Sequence, residues 1–551
     1  MTDLLESPTA AIPTVRRSTR LSRSREQLQA IRATRFGDAA LVGVVGLLVS
    51  VAFSWVPSVW YDESATIVSA QRTWAELWSE IHTVDAVHAT YYALMHAWFA
   101  VVGYTPFSLR FPSAVAIGLA AALLTTLARE LTSKRTAIVA GLLFVLLPRV
   151  TWAGSEGRSY ALSTALATAA TLVFVLAAKK TRDDRRVHVL WWVLYGVLAF
   201  ASTAVFLYSA LLIVGHGVTL GLWLLRERRS SRDTPWRPVV GGWFVSAGVA
   251  GGLLVPLARL ASSESKQISW ISKPDAGTII DFGVWQWFMT SWWFAGLGWI
   301  LAIAGVVAVL RGRAALRSEG AAADGAAAGR PSGVLQLVLP WMLVPSIGLI
   351  AVSLVGSPLY SPRYVTFAAP AMALLMAVGL TSLRAPRLTS ASSRRLVASG
   401  LVLAVAMSLP TYISQRLVEA KDSSSWSEVA ALVAKERKLE GVNATDAIIY
   451  GHIRRHPTGS ARNIAYAYPH AFTGMTDVTL KTPAAETGAL WETRYPLSST
   501  IERVDGHTYV WLVTSIKQDL RPSVTKALAG EGYHLQDEWH LTWVNVLRYR
   551  L

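Results

Sequence analysis

"DAALVGVVGLLVSVAFSWVP" occupies residues 38–57, and "SVWYDESATIVSAQRTWAELW" follows directly at 58–78. The first stretch is apolar over about the 20 residues that a bilayer-spanning helix needs. The second opens with a tryptophan, Trp60, and two adjacent carboxylates, Asp62 and Glu63. Paired acids are therefore expected just past the end of a membrane helix. The composition agrees: charged residues are 16% of the 551, against roughly 25% in soluble domains. Hydrophobic residues are 52% and the mean hydropathy is +0.38, which excludes a large soluble enzyme.

The same length criterion, carried along the chain, predicts about eleven spans. They lie near 38–57, 108–128, 136–154, 160–178, 188–205, 206–225, 238–259, 292–310, 334–355, 364–383 and 396–414. Every second connection is basic: "ARELTSKR", "KKTRDDRR", "RERRSSRDTPWR", "RGRAALRSEGAAADGAAAGR" and "RAPRLTSASSRR". The N-terminal "VRRSTRLSRSREQ" is Arg-rich as well. Cytoplasmic loops collect Lys and Arg, so the basic tail (1–37) is expected inside, and Asp62 and everything after Ser414 outside. The net charge of +17 is then a topology signal, and no nucleic-acid partner is implied. The first apolar run exceeds the ~7–15 residues of a cleaved signal core, so it is expected to remain as an anchor in a multi-pass plasma-membrane protein. There is no cysteine, which removes disulfides, thiolate metal sites and cysteine catalysis.

"ATYYALMHAWFAVVGY" (89–104) is apolar but short. Counting it as a span would invert the charge alternation of every later loop. It is expected as a surface or re-entrant helix inside a long first outer loop, 58–107, whose Trp60, Trp74, Trp78 and Trp98 suit headgroup level. Residues 318–333 are Ala/Gly-rich and are expected to form a flexible linker. After Ser414 the long apolar runs cease. "SWSEVAALVAKER" and "RPSVTKALAGEGY" predict helices, and "DAIIYG", "TYVWLVTS" and "WVNVLRYRL" predict strands. The expected fold is an α-helical polytopic membrane domain (38–414) followed by an extracytoplasmic α/β soluble domain (415–551).

Charges outside the basic loops concentrate at helix ends. Asp62 and Glu63 follow the first span, and Asp85 and His88 lie in "HTVDAVHATYY". Arg110 opens the second span, Arg149, Glu156 and Arg158 share the turn "PRVTWAGSEGRSYAL", and Arg363 and Tyr364 sit in "SPLYSPRYVTF". By topology these face one side at one depth. Arginine holds a phosphate bidentately and stays charged, while a carboxylate can accept a hydroxyl proton. Such a set suits displacement of a lipid phosphate by an alcohol, although acids and arginines at helix ends also serve as interfacial anchors and ion pairs.

"WYDESATI", "DAVHATYYALMHAWFAVVGYTPFSLRFPSA", "SEGRSYAL" and "SPRYVTFAAPAMALLMA", in that order, resemble the GT-C superfamily of integral membrane glycosyltransferases. The resemblance covers about 38–384 and is greatest to the branch with protein O-mannosyltransferases, aminoarabinose transferases and actinobacterial mannosyltransferase-like proteins. It implies a polyprenyl-phosphate-linked sugar as donor, mannose first and arabinofuranose second. It implies a glycolipid, polysaccharide or protein as acceptor, beside the membrane lipids. Asp62 matches the acid implicated as general base, with Glu63 its companion. Arg158 and Arg363 match positions that face the donor phosphate, with Tyr160 and Tyr364 beside them. Asp85, His88, Tyr61 and Arg110 are the expected substrate contacts. The prolines of the family's "H-x-P-P-L"-like element are missing around His88. One base and in-line attack imply inversion. The acids and His88 could hold a divalent metal, but no tight motif such as H-E-x-x-H occurs, and no other cofactor is implied. A transporter or flippase would place charges at the bilayer midplane and show inverted repeats, and a non-catalytic envelope scaffold would turn over no lipid-linked sugar.

Overall fold

The computed structural model describes residues 36–228, 236–264, 270–318, 332–383, 390–440, 445–453 and 459–551. The basic segment 1–35 and most of the expected linker, 319–331, lie outside the described residues. Among the described residues, eight helices are long and apolar enough to cross a bilayer: Pro106–Leu131, Tyr160–Asp183, Leu207–Glu227, Arg237–Ser262, Trp292–Gly312, Gly333–Val355, Pro362–Ser382 and Arg394–Ser414. Two shorter apolar helices, Phe36–Val51 and Val189–Val205, fall on two further expected spans. The remaining one, 136–154, is split. Lys134–Leu146 ends at Leu147, and Pro148 starts a second helix, Pro148–Ala153. Proline has no N–H to continue the ladder and fits the first turn of the new helix.

Small residues let the bundle close. The last turns of Ala369–Ser382 pack against Trp292–Ser318 so tightly that a Cβ at Gly379 would lie 1.9 Å from the Leu301 carbonyl oxygen. Backbone contact through glycine is how membrane helices gain van der Waals packing where lipid offers no hydrophobic drive.

Between Phe36–Val51 and Pro106–Leu131, residues 58–105 fold into short helices: Tyr61–Ala70, Trp74–Ile81 and Ala89–Val102, with a 3-10 turn Ala86–His88 between the last two. Thr73 and Glu76 cap the second reciprocally. Ala89–Val102, the stretch expected at the surface, is 14 residues long, or about 21 Å, too short to cross ~30 Å of hydrocarbon.

Among its described residues the C-terminal part holds seven strands: β1 (Asp446–Tyr450), β2 (Thr476–Asp477), β3 (Leu480–Thr482), β4 (Thr493–Arg494), β5 (Tyr509–Ser515), β6 (His534–Leu541) and β7 (Val544–Arg550). Five form one sheet in the order β2-β1-β5-β7-β6, with β1 parallel to β2 and β5 and the remaining pairs antiparallel. β3 and β4 pair separately. Helix Trp426–Glu440 covers one face of the sheet and Arg521–Gly530 the other. The first face is shared. Trp426, Val429, Trp511 and Val546 form one buried cluster with Tyr91, Tyr92, Met95 and Phe99 of the loop after the first span. Loop and C-terminal sheet therefore have a common hydrophobic core.

Candidate active site

The chain after the first span turns at Trp60 into helix Tyr61–Ala70, whose first turn carries Asp62 and Glu63. Acids there face the positive end of the helix dipole. The two side chains have different fates. Glu63 is fully buried and grips Arg110, with Nε to Oε1 at 2.8 Å and Nη2 to Oε2 at 2.6 Å. The Gly157 amide also donates to Glu63 Oε1 at 2.8 Å. Burial works to raise the Glu63 pKa, but the Arg110 charge and hydrogen bonds outweigh it, so the carboxyl is held below its usual range. Arg110 gives its other hydrogens to the carbonyls of Ser54, Pro57 and Ser58 at 2.7–3.2 Å. Its five donors are all committed, and none remains for a substrate.

Asp62 points elsewhere. Its Oδ2 accepts from Arg363 Nη1 at 2.8 Å, and both side chains keep partial exposure. Arg363 stands at the start of the 3-10 segment Pro362–Ala368, with its guanidinium 5.0 Å from the Trp270 ring, 5.7 Å from Tyr364 and 5.9 Å from Trp60. Its buried Nε makes no hydrogen bond among the described residues. Arg158 closes the other side, donating from Nη1 to the Asp62 carbonyl at 3.1 Å and from Nη2 to His88 Nε2 at 2.8 Å. A guanidinium only donates, so His88 Nε2 is the acceptor and the ring proton sits on Nδ1. Burial, then the charges of Arg158 and Arg363, push the His88 pKa well below its ordinary value, so the ring stays neutral.

Asp85 lies in the left-handed region (φ 60°), which an aspartate tolerates better than most residues. Its Oδ2 accepts from Tyr92 Oη at 2.8 Å. Burial raises its pKa, with Arg158 and the Tyr92 hydrogen bond opposing. Tyr160 and Tyr364 stand 6.3 Å apart, centroid to centroid, and Tyr208 is 5.3 Å from Tyr364, giving an aromatic wall beside Arg363. Asp62, Arg158, Arg363, Asp85, His88, Tyr160 and Tyr364 thus converge. Glu63 and Arg110 are locked to each other behind them. Tyr61 turns to the C-terminal part, where its hydroxyl accepts from Trp491 Nε1 at 3.1 Å. Among the described residues no group of three or more His, Cys, Asp or Glu is placed to hold a metal ion, and His88 Nε2 is taken by Arg158.

Residues 88–249 match the family model of dolichyl-phosphate-mannose-protein mannosyltransferases. Two structures of ArnT from Cupriavidus metallidurans superpose along nearly the whole chain. The undecaprenyl-phosphate complex gives a TM-score of 0.53 at 12% identity, and the apo state 0.54 at 13%. Each alignment covers 92% of this chain and 97% of ArnT. The chain has the GT-C fold. The apo oligosaccharyltransferase of Archaeoglobus fulgidus also aligns, with a TM-score of 0.47 at 13% identity, over 87% of this chain and 70% of that one. No curated protein sequence matches this one.

On this GT-C frame the structure adds residues that sequence reasoning passed over. Tyr92, on an apolar-looking run, links Asp85 to Arg158, whose Nη1 is 3.4 Å from its hydroxyl. Glu264, at the end of helix Arg237–Ser263, accepts the Ala86 amide at 3.0 Å and so pins the His88 turn. Lys421, from the segment after the last span, is fully buried with its Nζ 3.7 Å from the Trp152 ring centroid. Burial lowers its pKa to about 8, with Glu156 and Glu63 opposing. The Glu156 carboxylate is buried without a hydrogen bond among the described residues, and burial pushes its pKa up while Lys421 and Arg363 pull it down. Nothing in "VEAKDSSS" marks Lys421 as such a residue. Glu156 is the one residue of this group that the charged turn already marks in the sequence.

Proposed function

We propose that this chain is a membrane glycosyltransferase that moves a sugar from a polyprenyl phosphate to an acceptor hydroxyl, with Asp62 as general base. One observation carries this: a carboxylate and two arginines from three distant segments meet at the membrane-surface end of the spans. The undecaprenyl phosphate bound by ArnT supports a lipid phosphate as the leaving group. Arg363 and Arg158 hold that phosphate, and Tyr160 and Tyr364 flank it. The acceptor oxygen forms a bond to the anomeric carbon, and the bond from that carbon to the phosphate oxygen breaks with its electron pair leaving on the phosphate. The hydroxyl proton goes to Asp62. Attack opposite the leaving phosphate inverts the anomeric centre, and the sealed Glu63 offers no second free carboxylate for a retaining route.

The resting ion pair has a part in this. An arriving phosphate competes with Asp62 for Arg363, whose Nε is still unused. As Arg363 turns to the phosphate, Asp62 loses its partner and becomes free to take the proton. Glu63–Arg110 and Tyr92–Asp85 act as positioning pairs, and neutral His88 orients Arg158.

The mannosyltransferase family match over 88–249 favours mannose as the sugar, transferred to an envelope glycolipid, polysaccharide or protein. Residues 1–37 are then cytoplasmic, 38–414 form the catalytic membrane domain and 415–551 an extracytoplasmic module in the plasma membrane. The test is turnover in proteoliposomes with synthetic polyprenyl-phosphate mannose, arabinofuranose and aminoarabinose in turn. Transfer from mannose alone is the expected result. Transfer from none of them, with the chain folded, would remove the enzymatic assignment.

A further inference from the structure

A second polar site lies at the other end of the helix that begins with Arg110. From Arg110 to Arg129 is 19 residues of continuous helix, roughly 28 Å at 1.5 Å per residue, so Arg129 stands at the opposite membrane face from Asp62. There the ends of Phe36–Val51, Pro106–Leu131 and Lys134–Leu146 line a pocket of about 200 Å³ that is open on one side.

Its charges do not cancel. Asp38 and Lys134 neutralise each other at 2.7 Å, and Glu130 is paired with Lys179 at 3.1 Å. Arg129 lines the same cavity and has no ion pair or hydrogen bond among the described residues. It is half-buried, which takes away part of its hydration. The remaining wall has Thr125 and Thr126 on one side and an apolar side of Ala137, Ile138 and Phe36, which is 78% exposed. An uncompensated guanidinium beside an apolar lip, at the depth where a span of 26 residues leaves the hydrocarbon, matches a phosphate with an acyl chain attached.

We propose that this cavity binds the phosphate headgroup of an anionic membrane phospholipid, with Arg129 as its charge partner and Phe36 and Ile138 against the glycerol and first methylenes. The chain's own preceding segment is the wrong occupant. Residues 1–35 carry seven arginines and three acids, so they share the sign of the site. They would add to the attraction of that leaflet for anionic lipid.

The experiment counts lipid retained by the purified full chain in native mass spectrometry, titrated with phosphatidylglycerol, with phosphatidylcholine, and with inorganic phosphate as a competitor. Phosphatidylglycerol should bind with phosphatidylcholine failing to replace it, and inorganic phosphate should not displace it. Arg129→Ala should weaken phosphatidylglycerol about tenfold, the scale of one charge-assisted contact. Arg311→Ala, which removes an exposed charge from another helix, should leave it unchanged. Ile138→Trp keeps every charge and fills the cavity, and it should also lose the lipid. The assignment is overturned if Arg129→Ala or Ile138→Trp binds as the parent does. It is overturned equally if Arg311→Ala loses as much, which would indicate bulk attraction, or if inorganic phosphate competes, which would indicate a free-ion site.

Discussion

Replacing Asp62 by asparagine should push binding and turnover in opposite directions. The substitution keeps the size of the side chain and a carbonyl oxygen for Arg363 Nη1, now 2.8 Å from Asp62 Oδ2. It removes the negative charge and the capacity to take a proton. Loss of a general base typically lowers the rate by about 10²–10⁴-fold. The effect on the donor follows from exposure. The Asp62 and Arg363 side chains are 20% and 23% exposed, against 0% for both partners of Glu63–Arg110. The pair is therefore worth about 1 kcal/mol, the upper end for a solvent-touched ion pair. Arg363 no longer has to give up that pair to meet the phosphate, so the donor should bind about fivefold tighter. Single-turnover transfer and equilibrium donor binding, measured on the same detergent-purified variant, separate the two effects. Weaker donor binding would show that Asp62 contacts the donor instead of competing for Arg363. Full transfer in Asp62→Asn with loss in Asp85→Asn would move the base to Asp85.

Arg158→Ala and Arg363→Ala should each weaken donor binding by roughly 10- to 150-fold, from about 1.5–3 kcal/mol per charged contact, and lysine should restore only part of it; donor titration reads both. Glu63→Gln should leave the proton acceptor in place but strand the Arg110 charge in the interior, lowering stability by about 3–5 kcal/mol in thermal or denaturant unfolding while the folded fraction retains activity. Glu80 is buried against Ser69 and Arg72, and burial raises its pKa from 4.5 to about 7. The folded chain thus keeps a proton that the unfolded chain releases, and this contribution to stability is complete below pH 4.5 and lost as pH rises through about 7. Glu80→Gln should flatten the slope of unfolding stability over that window. Cysteines placed singly at the exposed Ser79 and Ser499 should react with an impermeant thiol reagent in intact cells, and one at the exposed Arg185 should not; labelling at Arg185 would reject the orientation.

Much of the architecture could be read from hydropathy, because a bilayer demands long apolar runs whatever their neighbours. The same criterion was blind to the Pro148 break, where two short helices together match one span. Strand β6 is hard to read in "HLQDEWHL" because a register shift between Leu535 and Asp537 breaks its alternation, and on this edge strand only Trp539 and Leu541 pack against the core of that face. At the site, the location of Asp62, Arg158 and Arg363 at helix ends was legible from charge scarcity. The separate fates of Asp62 and Glu63 were not. Adjacent residues at a helix start point about 100° apart, and which one meets Arg110 depends on a segment 47 positions away. Tyr92 and Lys421 carry no local mark at all, since only tertiary packing brings the Tyr92 hydroxyl to Asp85 and buries Lys421 against Trp152.

The common core of the early loop and the C-terminal sheet has a consequence for biosynthesis. Tyr91, Tyr92, Met95 and Phe99 leave the ribosome early, but the surfaces that cover them belong to Trp426, Val429, Trp511 and Val546. At about 5–20 residues per second, the interval between emergence of Phe99 and of Val546 is roughly 20–90 s. Throughout it the loop bearing Asp62 has only its own Val59, Ile67 and Leu77 and the nearby Leu109 against these side chains, and the side that the C-terminal residues later cover stays bare. A chain ending at Ser414 would keep its spans and never gain that cover. Completion of the site is thereby coupled to completion of synthesis, and a nascent or truncated product would be recognisable to quality control by the bare face of Ala89–Val102.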